Sequence, residues 1–231
     1  MTLPDDEAHH VSHVLRLTAG ASVRVFDGRG LEWHARVETL GRAGVTVAIG
    51  ESVDPVREPP VRVTLAIGLL KGDQMDAVVR DATMLGVAAI VPLISAHVAT
   101  SWSASRLGSA RERWRRVAVA SVRQCGRAVV PEIRPARSFD ELLTDVDGDA
   151  IVMSVEPSAT IDTSSGADAR SSTRPRSALL YVGPEGGWSE REVARALQAG
   201  ARLLHLGPRT LRAETAPVVA LAVLWTEWGW S

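Results

Sequence analysis

Leu179-Leu180-Tyr181-Val182-Gly183-Pro184-Glu185-Gly186-Gly187 and, further on, Leu206-Gly207-Pro208-Arg209-Thr210-Leu211-Arg212-Ala213-Glu214-Thr215-Ala216 decide how this chain folds. Each is an apolar strand running into a loop of glycine, proline and a few charges. Two such loops after successive strands can enclose a small ligand, and their glycines let the main chain approach it closely. Glu185, Arg209, Arg212 and Glu214 stand where a reaction partner would arrive. The glycine spacing is neither the G-x-G-x-x-G dinucleotide fingerprint nor a phosphate loop, since no Gly-Lys-Ser/Thr follows. Taken alone, Gly183 to Gly187 reads equally well as a tight turn. The arginine-bearing partner loop tips the reading toward a ligand site.

Working outward, strands and helices alternate. Val61 to Leu70 is a continuous apolar strand, and 73–85 has helical spacing at Met75, Val78, Val79, Ala82 and Leu85, with Asp73 placed to cap it and Gly86 to end it. Val87 to Leu93 is a second buried strand. A long helix covers about 104–125, with Leu107, Trp114, Val117, Ala118, Ser121 and Val122 on one face. Ser138 and Glu141, and again Ser189 and Glu192, have capping-box spacing for helices reaching about Asp145 and Gly200. Ala150 to Val155, Ser177 to Val182 and Leu203 to Leu206 are strands. A final helix starts near Thr215, tolerates Pro217 in its first turn and runs to about Trp228. Residues 157–176, rich in Ser, Thr, Ala and Asp, read as a surface insertion. The alternation predicts a parallel α/β sheet with helices on both faces. In such sheets ligands bind beyond the carboxyl ends of the strands, where both loops sit.

The first fifty residues follow another rule. Val23 and Val25, then Leu31, Trp33, Ala35 and Val37, then Val45, Val47 and Ile49 alternate with polar neighbours between glycine turns. That period predicts a small antiparallel barrel, and the prolines of Asp54 to Pro60 mark a linker.

Of the 231 residues 45% are hydrophobic, enough for a sizeable core, and the formal net charge is -1. That balance argues against a broad non-specific nucleic-acid binder but leaves room for a local basic patch. Lys71 is the only lysine, so the positive charge is almost all arginine, whose planar fork suits phosphates and base edges. Arg106, Arg111, Arg113, Arg115, Arg116, Arg123 and Arg127 fall on or just past the long helix, either as a phosphate-neutralising face or as a solvated one. Arg127, after the turn at Gly126, is the member placed to point into a site. Cys125 stands alone and reads as a small packed side chain in a reducing, cytoplasmic protein. His9 and His13 have metal-like i, i+4 spacing but no third ligand, so no metal is expected. No apolar run approaches the ~18 residues of a membrane span, and the acidic N-terminus does not read as a signal peptide.

Both late loops, with Trp188-Ser189, Arg123-Gln124-Cys125-Gly126-Arg127, Val130-Pro131-Glu132-Ile133, Lys71-Gly72-Asp73, Leu85-Gly86-Val87, His9-His10-Val11, Val14-Leu15-Arg16-Leu17 and Phe26-Asp27-Gly28, resemble the RsmE family. These are the 16S ribosomal RNA uracil-N3 methyltransferases of the SPOUT superfamily. The resemblance covers nearly the whole chain. It implies a PUA-like RNA-binding barrel over residues 1–58, its first strand missing here. It also implies a SPOUT methyltransferase domain over 61–231, with a trefoil knot near the C-terminus. It further implies a homodimer acting on the small ribosomal subunit, with S-adenosyl-L-methionine held in the knot. Carried onto this chain, Val182, Gly183, Pro184, Glu185, Gly186 and Gly187, then Leu206, Gly207, Pro208, Leu211, Arg212, Ala213 and Thr215, would cradle the cofactor, with Leu93 as an apolar wall. Arg127, Arg212 and Glu214 are the catalytic candidates. Arg16, Arg29, Arg116, Arg123 and Arg209 are the RNA-binding candidates.

Three features depart from the family pattern: Arg80-Asp81-Ala82-Thr83-Met84 stands where Gln-Lys-Ala-Thr-Glu is usual, Arg123 where Glu is usual, and the first strand is absent. They motivate two competing readings, a cofactor-binding relative acting as an RNA-binding or assembly factor and a sibling that methylates another RNA.

Overall fold

The computed structural model describes residues 1–41, 44–98, 102–145, 148–156 and 174–230, so most of the 157–176 stretch lies outside the described residues. The chain forms two compact units, Met1–Arg57 with Gly126–Val130, and Glu58–Cys125 with Pro131–Ser231.

The first unit opens with α1 (Asp5–His9), which continues as a π-helical turn, His10–Val14. Strands β1 (Ser22–Phe26), β2 (Glu32–Gly41) and β3 (Gly44–Val53) form an antiparallel sheet in that order. Alternation brings Ala35, Val37, Val45 and Val47 to one face, where they pack with Leu3, Ala8 and Val11. β2 and β3 run longer than their apolar stretches suggest, because register shifts between Trp33 and Ala35 and between Val37 and Thr39 let the twisted pair continue. No assigned strand precedes α1, yet residues 1–3 pair along β3: the Val47 amide donates to the Met1 carbonyl (2.8 Å) and the Leu3 amide to that of Val45 (2.9 Å). Residues 1–3 thus run as a short ribbon beside β3. Residues 126–130, which sequence reasoning placed in the second domain, join this unit through Gly30 N–H to the Ala128 carbonyl (3.1 Å) and Val130 N–H to that of Gly28 (2.9 Å).

The second unit contains β4 (Arg62–Gly68), α2 (Gln74–Met84), β5 (Ala89–Ile94), α3 (Ala104–Cys125), β6 (Glu132–Ile133), β7 (Arg137–Ser138), α4 (Phe139–Thr144), β8 (Ala150–Val155), β9 (Ser177–Val182), α5 (Glu190–Gln198), β10 (Arg202–His205) and α6 (Ala216–Glu227). The strands make a parallel sheet in the order β10-β8-β9-β4-β5-β6, with β7 also pairing to β5. Such strands are apolar throughout because both faces are covered. On one face Leu179 and Tyr181 of β9, Met153 and Val155 of β8, and Val91 and Leu93 of β5 pack against Phe139 and Leu142 of α4 and Val193 and Ala196 of α5. The alternate residues Leu65, Ile67, Ile90 and Leu180 are fully buried on the other face, the side left for α2, α3 and α6. There α6 is tied to α2 by the Trp225 indole N–H, which donates to the Leu85 carbonyl (2.7 Å). Trp225 is thus a core residue. Both expected capping boxes form, Ser138 with Glu141 and Ser189 with Glu192.

One cap differs from expectation. Asp73 precedes α2 but its carboxylate makes no cap hydrogen bond. It accepts instead from Arg113 of α3 (2.9 Å), which also pairs with Asp76. Charge pairing across two helices takes the place of the local bond, and the arginine involved is already paired within the chain. Arg111 (to the Ile133 carbonyl, 2.8 Å) and Arg106 (over the Trp102 ring, 4.5 Å) are likewise engaged inside the chain.

Candidate active site

The segments leaving β8, β9 and β10, with the first residue of α2, enclose a cavity of about 320 Å³ at the carboxyl edge of the sheet. That lies within the range of small-molecule sites. Ser154, Val155 and Glu156 form one wall. The loop from Val182 to Trp188 forms the second, and Leu206 to Ala216 the third. Gln74 closes the remaining side.

Each wall has a local cause. Trp188 anchors the β9 loop: its indole N–H donates to the Ser154 carbonyl (2.8 Å) and its ring packs against Tyr181 and Phe139. The imidazole of His97 reaches the same loop from beyond β5 and donates from Nδ1 to the Gly186 carbonyl (3.1 Å). Glu192 ties these parts together. One carboxylate oxygen accepts from the Ser189 amide and hydroxyl, and the other accepts from the Ala96 amide (2.9 Å). The third wall turns at Gly207, whose φ of 101° is open to glycine and strained for other residues. It then rises into α6 through amides of Thr215 and Ala216 that donate to the Arg212 carbonyl (2.9 and 3.0 Å).

The charged groups of the cavity are Glu156, Glu185, Arg209, Arg212 and Glu214. Glu214 is held on both sides. Gln74 Nε2 donates to its Oε2 (3.0 Å), and Arg212 Nη1 stands 3.8 Å from its Oε1. The Glu214 side chain is 22% exposed and that of Arg212 85%, so a fixed carboxylate faces a guanidinium open to an incoming substrate.

The structure brings Val182, Gly183, Pro184, Glu185, Gly187, Leu206, Gly207, Leu211, Arg212, Ala213 and Glu214 together, as the sequence suggests. Others in the expected set stand behind the lining. Leu93 is fully buried in the core of the sheet, and Gly186 turns toward His97. Pro208 and Thr215 also fall outside the lining. Arg127 belongs to the first unit, where it is only 5% exposed. Among the RNA candidates, Arg16 (with a left-handed φ of 51°), Arg29 and Arg116 are exposed, and Arg123 is half-buried on α3. Arg209 lines the cavity itself. Sequence reasoning missed Gln74, Ser154, Val155, Glu156, Trp188, Thr210 and Ala216. The β8 end was readable as a third strand terminus on the same edge, and Gln74 as the residue after the Lys71-Gly72-Asp73 motif.

Among the described residues no group of three or more His, Cys, Asp or Glu is arranged to hold a metal, and no helix is long and apolar enough to cross a membrane.

A parallel sheet with this looped carboxyl edge, in a chain whose residues 57–225 match the RNA methyltransferase domain family and whose residues 3–50 match the RNA methyltransferase PUA domain, defines an RNA methyltransferase. Ribosomal RNA small subunit methyltransferase E of Synechocystis is 33% identical over 96% of this chain and 71% of its own length; that of Bacillus subtilis is 31% identical over 96% and 88%. The crystal structure of ribosomal RNA small subunit methyltransferase E from Neisseria gonorrhoeae bound to S-adenosyl methionine superposes with a TM-score of 0.86 at 30% identity, covering 99% of this chain and 92% of that one. The chain belongs to the ribosomal RNA small subunit methyltransferase E family.

Proposed function

We propose that this protein methylates N3 of a uridine in the 16S RNA of the small ribosomal subunit, with S-adenosyl-L-methionine as methyl donor. The observation that carries the reading is the single cavity formed by the glycine loop after β9 and the arginine loop after β10.

The residues present fit that donor. Val155, Val182, Leu206, Leu211 and Ala213 give an apolar slot for a purine, with glycine backbone beside it. Glu156, Glu185 and Glu214 set negative charge around a cavity that must take a sulfonium and an ammonium, and Arg209 can meet a carboxylate. When bound, the donor supplies an electrophilic methyl group carrying its own leaving group. The protein's share is therefore position and electrostatics.

The uracil N3 proton must leave before or during attack, and charge then spreads over O2 and O4. Arg212, an exposed guanidinium of the cavity held beside Glu214, is placed to stabilise that anion. Glu214 orients Arg212 and offers a carboxylate for the departing proton. N3 lies on the pairing edge, so the target base must be unpaired or turned out. The exposed Arg16, Arg29 and Arg116 would neutralise backbone phosphates around it. A homodimer, a trefoil knot at the C-terminal loops and a cytoplasmic location belong to the same reading.

The altered positions on α2 weigh little against activity. Arg80 and Asp81 bond to each other (2.7 and 3.1 Å), and neither they nor Met84 line the cavity. The test is transfer of label from the methyl donor to small-subunit particles from cells lacking this enzyme. Label at uridine N3 of the 16S RNA supports the proposal. Donor binding without label supports an assembly factor, and label in another RNA supports a sibling enzyme.

A further inference from the structure

We infer that Gln74 is a positioning residue of the methyl-transfer site: its side-chain amide holds the Glu214 carboxylate so that Arg212 stays free to meet the substrate. The inference rests on the function proposed above.

Gln74 and Glu214 lie 140 positions apart and are joined by the 3.0 Å bond between Nε2 and Oε2. That bond uses one carboxylate oxygen. The other faces Arg212 at 3.8 Å, too far for a good hydrogen bond. The arrangement is thus divided: a neutral donor fixes the anion, and the cation is steered by charge without being locked. A carboxylate released from Gln74 has an obvious alternative, since arginine and carboxylate close readily into a two-bond fork. In that state Arg212 would be spent on Glu214. A neutral amide suits the task because it satisfies the carboxylate without cancelling its charge. Gln74 is the first residue of α2.

Gln74→Ala removes the hold. The expected result is a fall in kcat of about tenfold or more, the scale of one hydrogen bond to a charged group, with a smaller loss of affinity for S-adenosyl-L-methionine, since Gln74 and Glu214 also line the donor cavity. Gln74→Glu tests the geometry more directly. Two carboxylates at this spacing cannot both ionise easily, so the variant pair should share one proton. With that proton in place the variant imitates the amide donor. Its activity relative to wild type should therefore rise as pH falls. The other charged groups near the pair are Arg209, Arg212, Glu185 and Glu156 in the cavity, and Asp73, Asp76 and Arg113 beside the start of α2. The arginines oppose retention of the shared proton and the carboxylates favour it, so together they set the pH at which the variant's activity changes. Proton binding by the free protein, measured by potentiometric titration of variant against wild type, needs no RNA and no methyl transfer. One extra proton near neutrality supports the contact even if the wild type labels no ribosomal RNA, which would sink only the function. Three results would overturn the inference: an unchanged kcat in Gln74→Ala, an equal loss of donor affinity in that variant, or no extra proton in Gln74→Glu.

Discussion

Gly68, the last residue of β4, lies directly against Pro184: a Cβ added to it would run into the Pro184 nitrogen and sit 2.7 Å from its Cδ and 2.9 Å from its Cα. The glycine is there for approach, since any side chain would push the β9 loop off the end of the neighbouring strand. Backbone and a proline ring cannot swing aside as a long side chain can.

Gly68→Ala should therefore act on the cavity before it acts on the fold. Overpacking of this kind costs about 1–3 kcal/mol, and the element free to move is the loop that carries Gly183 and Glu185. The expected outcome is a folded protein with a lowered melting temperature and at least tenfold weaker binding of S-adenosyl-L-methionine by calorimetry. Unchanged affinity would show that the loop does not need this approach.

Tyr181 gives a cleaner test of the core. It is the only tyrosine of the chain and is fully buried, and its hydroxyl finds no partner among the described residues. Burial pushes the phenol well above its ordinary value of 10.0. A folded-state value above the unfolded one means that this group's contribution to stability is complete below about pH 10 and is lost as pH rises beyond it. Tyrosinate absorbance should therefore develop only together with unfolding in an alkaline titration. Tyr181→Phe removes the unpaired hydroxyl and should be neutral or stabilise by roughly 1 kcal/mol, read by denaturant melts at neutral pH. A tyrosinate signal in the folded protein would overturn this account.

Trp225 carries the contact of α6 with α2, being 4% exposed with its indole N–H on the Leu85 carbonyl. Trp225→Phe keeps most of the ring but strands that carbonyl, at about 1–2 kcal/mol. Trp225→Ala adds a cavity and should cost about 3–5 kcal/mol. Chemical denaturation should give that order, and equal effects would mean the hydrogen bond carries the whole contact.

Much of this was legible in the sequence because the signals were local. Continuous apolar runs such as Leu179 to Val182 mark strands buried on both faces. Ser189 and Glu192 mark a helix start through chemistry contained in four residues. What stayed hidden depends on contacts distant in sequence. Gln74 meets Glu214 only because α2 and the β10 loop reach the same edge of the sheet. Asp73 gives up its cap because Arg113 arrives from α3. Residues 126–130 join the first unit by pairing with Gly28 and Gly30, which no periodicity records.

Glu192 shows how a local signal can conceal a distant role. From sequence it is the acidic partner of a capping box, and it is. It is also buried, and its second carboxylate oxygen accepts from the Ala96 amide, next to the His97 that holds Gly186. One side chain thus starts α5 and fastens the segment after β5 to the cofactor-side loop. Ser189→Ala removes the hydroxyl part of the cap and should cost about 1 kcal/mol with little effect on ligand binding. Glu192→Ala removes the cap and the long-range bond together and should cost about 2–4 kcal/mol. It should also weaken S-adenosyl-L-methionine binding, because His97 and the Gly186 loop lose their common support. Thermal melts and calorimetry on the two variants separate the roles. If both variants lose the same stability and neither loses affinity, Glu192 is a helix cap and nothing more.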